Sequence, residues 1–179
     1  MSMSTSSRQA LLAEMLRQSR DLLHRYLRGF DETNRTRQAT GLPNHLAWTL
    51  GHLAITMHRC AERIDARPLP QGDFVTGDGR GGDGNRFDTE AVCFGSTPTY
   101  DVAIYPSWPR CMEIFDSAIE RLARAISEAD DAKLDSKTKW GNGETPLYAL
   151  SGRMVFHNGT HCGQIADLRR ALGMGSIFG

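Results

Sequence analysis

The sequence has no surplus of either charge. Lysine plus arginine and aspartate plus glutamate each number 21, so the formal net charge is zero. Nucleic-acid binders draw much of their affinity from neutralising phosphates, which needs a basic excess, so DNA and RNA are not expected partners. Long apolar runs are missing too. No stretch approaches the ~18 consecutive apolar residues of a membrane span, and the start, Met1-Ser2-Met3-Ser4-Thr5-Ser6-Ser7-Arg8, lacks the apolar centre of a signal peptide. A cytoplasmic chain without a membrane partner is expected. Cysteine is sparse: Cys60, Cys93, Cys111 and Cys162 show no paired spacing, which argues against both a zinc ribbon and a disulfide framework.

What is present is enough for one filled core. At 179 residues and 40% hydrophobic, residues 1–179 read as a single domain. From Ser7 to about Phe30, Leu11, Leu12, Met15, Leu22, Leu23, Tyr26, Leu27 and Phe30 recur at threes and fours, predicting an amphipathic helix whose lone His24 is structural or solvated rather than a ligand. Pro43-Asn44 marks a second start, with Asn44 as cap, and a helix from about His45 to Ala66. A third runs from about Ser107 or Pro109 to Ala129, and a fourth from Thr145-Pro146 to Leu172, with Thr145 as cap and Gly173 as the stop. Between the third and fourth, Trp140-Gly141-Asn142-Gly143 is a turn beside a short extended piece at Lys137-Thr138-Lys139.

The connection at about 67–106 shows no helical or strand pattern, and its glycine cluster from Gly77 to Asn85 reads as a flexible surface loop. Its Asp-Gly units lack the closing glutamate of a calcium loop. A connection of that length lets the second and third helices run parallel.

Chemistry concentrates in the last helix, at Met154-Val155-Phe156-His157-Asn158-Gly159-Thr160-His161. Residues four apart share a helix face, so His157 and His161 can direct both imidazoles at one ion. A catalytic zinc-type centre usually takes three protein ligands and keeps a position open, so a third is required. His52, in Trp48-Thr49-Leu50-Gly51-His52-Leu53-Ala54, is the candidate, because small Gly51 and Ala54 let another helix approach. His58 falls six residues on and is turned roughly 120° away. Cys162 points ~100° away from His161 and reads as packing. Arg169 and Arg170 could receive a substrate carboxylate, but they stand where the helix dipole favours cations anyway. The residue after His157 is Asn158, where a metalloprotease helix has its glutamate base, and an amide cannot accept the water's proton.

Trp48-x-x-x-His52-Leu53-Ala54 on one helix and His157-x-x-x-His161-x-Gly163-Gln164-Ile165, followed by Leu168-Arg169-Arg170 and Leu172-Gly173, on another resemble the DinB/YfiT-like superfamily over nearly the whole chain. That resemblance implies an all-α, up-down-down-up four-helix bundle with a long crossover between helices two and three. It implies a divalent ion, zinc or nickel, on His52, His157 and His161, and frequent homodimers. Gln164 stands in the family's usual place one turn beyond His161, where it can orient a ligand or serve packing. Asn158-Gly159 departs from the acidic or bulky residue frequent there, so substrate preference does not carry over.

Characterised relatives resemble transferases of low-molecular-weight thiols such as bacillithiol or mycothiol. A thiol S-transferase acting on a small electrophile is therefore the leading expectation, since three neutral imidazoles leave the ion its double charge to acidify a thiol. The alternatives are a metal-dependent hydrolase and a non-enzymatic, stress-associated metal-binding bundle. A fourth protein ligand, with His45 or His58 nearest to hand, would favour the last.

Overall fold

The computed structural model describes residues 7–178 and is mostly helical. The serine-rich start, in which no signal peptide was expected, lies outside the described residues apart from Ser7 and Arg8. Four long helices form the frame: α1 (Arg8–Leu27), α2 (Leu46–Asp65), α4 (Trp108–Glu128) and α6 (Leu147–Ala171). Between them lie β1 (Phe74–Val75), β2 (Phe87–Asp88), α3 (Thr89–Val92), α5 (Asp131–Asp135), β3 (Lys137–Trp140) and β4 (Gly143–Pro146). Both α1 and α2 pack on α4 and on α6. Among the described residues no helix is long and apolar enough to cross a membrane.

α2 is buried nearly all round, from Leu46 to Ile64, because α4, α6 and the 87–92 segment cover three of its sides. Its cap differs from expectation. His45, not Asn44, precedes the first turn, and its Nδ1 accepts the Trp48 amide at 3.2 Å. The same ring reaches the Thr99 carbonyl through Nε2 at 2.7 Å, so both nitrogens of this fully buried imidazole are used. The start of α6 differs as well. Thr145 sits in β4, and Pro146 precedes the first turn with no side-chain cap. The β3–β4 hairpin turns through Gly141-Asn142, with Gly141 at φ 59° as the first central residue of a tight turn.

On α1 the buried line is Ala13, Leu16, Leu23 and Leu27, while Leu11, Met15 and Leu22 are exposed. The sequence carries two apolar stripes about a third of a turn apart, and α1 has long neighbours on only part of its circumference, so one stripe is left uncovered.

The connection between α2 and α4 contains elements for which the sequence alone gave no pattern. β1 and β2 pair in parallel, Phe74 with Phe87 and Val75 with Asp88. The fully buried Asp88 carboxylate accepts the amides of Gly79 at 2.9 Å, Gly81 at 3.4 Å and Glu90 at 2.8 Å, so it holds the glycine cluster and starts α3 at once. Arginines of α4 pin the rest. Arg110 binds the carbonyls of Gly72 and Asn85 and the Asp73 carboxylate, and Arg121 binds Asp65 and the carbonyls of Arg67 and Pro68.

This segment lies directly on α2 at Gly51, where a β-carbon would meet the Phe87 ring at 2.7 Å and Val92 at 2.8 Å. Glycine in a helix interior ordinarily costs ~0.5–1 kcal/mol against alanine, but overpacking a filled core costs about 1–3 kcal/mol. The second effect wins at Gly51, where both neighbours are fully buried. At Gly159 on exposed α6 surface nothing lies within 4 Å, and the first wins. Gly51→Ala is therefore expected to lower the denaturation midpoint and Gly159→Ala to raise it. Equal signs in equilibrium unfolding would contradict this packing.

Candidate metal centre

α2 and α6 pack against each other, and their contact carries His52 from one helix and His157 and His161 from the other. The three rings converge. His52 Nε2 lies 3.3 Å from His157 Nε2, His161 Nε2 lies 3.2 Å from that same atom, and one nitrogen from each ring falls within 4.8 Å of the others. Nitrogens held 2.0–2.1 Å from a tetrahedral ion stand ~3.3–3.4 Å apart, so these two separations match that spacing and the group could hold an ion. Among the described residues, no other group of three or more histidine, cysteine or acidic side chains is so arranged.

Two neighbours fix His52. Its Nδ1 is 3.0 Å from the Val92 carbonyl, which can only accept, so the proton sits on Nδ1 and Nε2 carries the lone pair. Trp48, one turn earlier, stacks flat on the ring at 4.7 Å and 5°, and its own indole N–H donates to Ser96 Oγ at 2.9 Å. The four-residue spacing to His52 was the signal that Trp48 shares that face. Nothing in the sequence marked the Val92 carbonyl, since any residue supplies one. The close fit at Gly51 brings it there, and what approaches that glycine is the 87–92 segment rather than another long helix.

The remaining candidates fall elsewhere. His58 Nδ1 faces an Arg121 guanidinium N–H at 3.2 Å and its ring packs on Phe74, so neither His45 nor His58 closes the trio with a fourth ligand. His24 pairs with Asp116 at 2.6 Å. Cys162 is buried with its thiol pushed up to about 11 by desolvation. Asn158 turns toward α1 and donates to Ser19 Oγ at 2.8 Å, away from the imidazoles. Gln164 is exposed; its Oε1 accepts from Asn44, and its side chain lies close enough to His161 to oppose the lowering of that ring's pKa, while among the described residues the Nδ1 atoms of His161 and His157 have no partner in good hydrogen-bond geometry. Arg169 is nearly buried and donates to the carbonyls of Tyr26, Arg28 and Gly175, closing the end of the fold rather than facing a ligand.

Burial keeps all three imidazoles neutral, which is the form that binds metal. Desolvation is the leading cause in each case. His52 is lowered, with Arg59 contributing; His157 falls to about 4, with His52 and Arg153 contributing; His161 falls to about 3, with its two histidine neighbours contributing. Desolvation also takes His45 and His58 to about 4. An unfolded histidine titrates near 6.5, so the unfolded chain takes up protons first as pH falls. The stability held by these rings is complete above that value and lost as pH drops below it, through about 4 for His45, His58 and His157 and about 3 for His161. Metal-free protein is expected to lose on the order of 1 kcal/mol per pH unit for each such ring in that window, measured by denaturant titration. A flat profile would contradict neutral burial.

A family model described as the DinB superfamily matches residues 15–165. Among curated proteins no match is found. Among solved structures, the conserved protein of a locus from Enterococcus faecalis superposes with a TM-score of 0.69 over 93% of this chain and 98% of that one, at 11% sequence identity. At that identity the likeness is one of fold alone.

Proposed function

This chain belongs to the DinB superfamily, and from that premise we propose that His52, His157 and His161 hold one divalent ion, zinc or nickel, in a transferase joining a low-molecular-weight thiol to a small electrophile. The observation that carries the reading is the Nε2 convergence at 3.2 and 3.3 Å in a family whose members bind metal. When bound, the ion supplies positive charge that acidifies a thiol brought to it.

The chain's own residues do the rest. The Val92 carbonyl holds the His52 tautomer, Trp48 holds its plane, and burial keeps protons from competing for the Nε2 lone pairs. Two of the three rings, His52 and His157, line a cavity of about 710 Å³, room for a small substrate beside the ion. The use of His45 and His58 elsewhere supports a centre left open to substrate over a closed structural one. In the reaction the thiol sulfur forms a bond to the electrophilic carbon, the leaving group departs with its electron pair, and the thiol proton goes to solvent.

The up-down-down-up order, with α2 and α4 parallel across the long connection, belongs to the same reading. So does a homodimer. Leu11, Met15 and Leu22 on α1, and Phe156 on the packed neighbour α6, leave apolar side chains exposed that a second copy would cover.

With one equivalent of zinc or nickel, the protein is expected to accelerate conjugation of at least one small thiol with chlorodinitrobenzene, to lose that activity on chelation and in His157→Ala, and to regain it when the parent is reloaded. Metal-loaded protein that conjugates none of a panel of thiols, yet hydrolyses activated esters, would replace the transferase reading with the hydrolase one.

A further inference from the structure

The cavity beside the histidines is charged in a way the whole chain is not. The sequence balances 21 basic against 21 acidic residues, yet this wall carries Arg59, Arg63, Lys139 and Arg153 against a single carboxylate, Glu144. The two helices that supply the trio also supply the arginines. On α2, His52, Arg59 and Arg63 follow at intervals of seven and four, which keeps them on one face; on α6, Arg153 stands one turn before His157. His52 and His157 thus each have a guanidinium one to three turns along the same wall.

These cations have no counter-ion within the protein. Among the described residues, neither a hydrogen bond nor an ion pair engages the side chains of Arg59, Arg63, Lys139 or Arg153. Arg17, Arg110 and Arg121, by contrast, are each held by a carboxylate. Arg59, Arg63, Lys139 and Arg153 are all exposed, so solvent screens their repulsion and they cost the fold little, and their heads are left free to meet an anion entering the cavity. Guanidinium groups fit the paired oxygens of carboxylates and phosphates. Ile55, Met154, Trp140 and the 93% exposed Phe94 supply an apolar wall and rim to the same cavity.

We propose that this cavity binds a small molecule with an apolar body and a terminal carboxylate or phosphate, the anionic group held by Arg59, Arg63 and Arg153 and the opposite, reacting end turned toward His52 and His157. The identity of the reacting end rests on the metal-centre reading; the anion contact does not. Arg59, Arg63 and Arg153 act here as binding and positioning residues.

Three probes of similar body test it by calorimetry: 3-phenylpropionate, phenyl phosphate and neutral 3-phenylpropionamide, each titrated into metal-free and zinc-loaded protein. At least one anion is expected to bind ten times or more tightly than the amide, with affinity falling as salt rises; whichever anion is tighter identifies the preferred group. Arg59→Ala and Arg153→Ala are each expected to weaken that anion by about tenfold while zinc stoichiometry stays at the parent's value. Arg124→Ala, an exposed arginine of α4 outside the cavity, should leave it unchanged. Anion binding that persists in a protein unable to hold zinc would sink the metal centre and keep this assignment. An amide bound as tightly as both anions, or an Arg59→Ala/Arg153→Ala double variant within twofold of the parent, would overturn it.

Discussion

Three imidazole nitrogens brought to one point are the constraint around which this part of the fold is arranged. Neutral imidazoles with Nε2 atoms 3.2–3.3 Å apart gain nothing from one another unless a proton or a cation lies between them. Burial depresses protonation at each ring, so the arrangement suits a cation. Holding it requires α2 and α6 in register against each other, and the features around His52 serve that end. Gly51 admits the 87–92 segment, that segment brings the Val92 carbonyl to Nδ1, and Trp48 closes the other side of the ring.

The chain uses histidine in three different ways within a small volume. His45 is a helix cap with both nitrogens used, His58 is a buried acceptor for Arg121, and the trio turns its Nε2 atoms inward. All are desolvated, so the rings share a dependence on pH while doing unrelated work. The partner of the other nitrogen, not burial, separates these roles. Where a carbonyl or an arginine takes part, the ring is fixed; where ring nitrogens face one another, they form a group that could hold an ion.

The site was legible where its information is local. His157 and His161 share a face by helical spacing, and Gly51 beside His52 pointed to a close approach on α2. What approached was not legible, because the Val92 carbonyl and the Asp88 carboxylate act across a connection whose short strands have no periodicity of their own. Asn44 is a better intrinsic cap than histidine, but the Thr99 carbonyl and the buried setting of His45 outweigh that preference. On α1 two apolar stripes were equally visible, and only the positions of α4 and α6 decide which is covered. Nothing in the sequence singles out Arg59, Arg63 and Arg153; the meeting of α2, α6 and the β3–β4 hairpin brings them to one cavity.

X-ray absorption at the metal edge of zinc-loaded protein tests the central claim most directly. The account predicts three imidazole nitrogens at about 2.0–2.1 Å with no protein sulfur, the imidazole count falling to two in His52→Ala. A sulfur shell at about 2.3 Å in the absence of added thiol, or a spectrum unchanged by loss of His52, would contradict it.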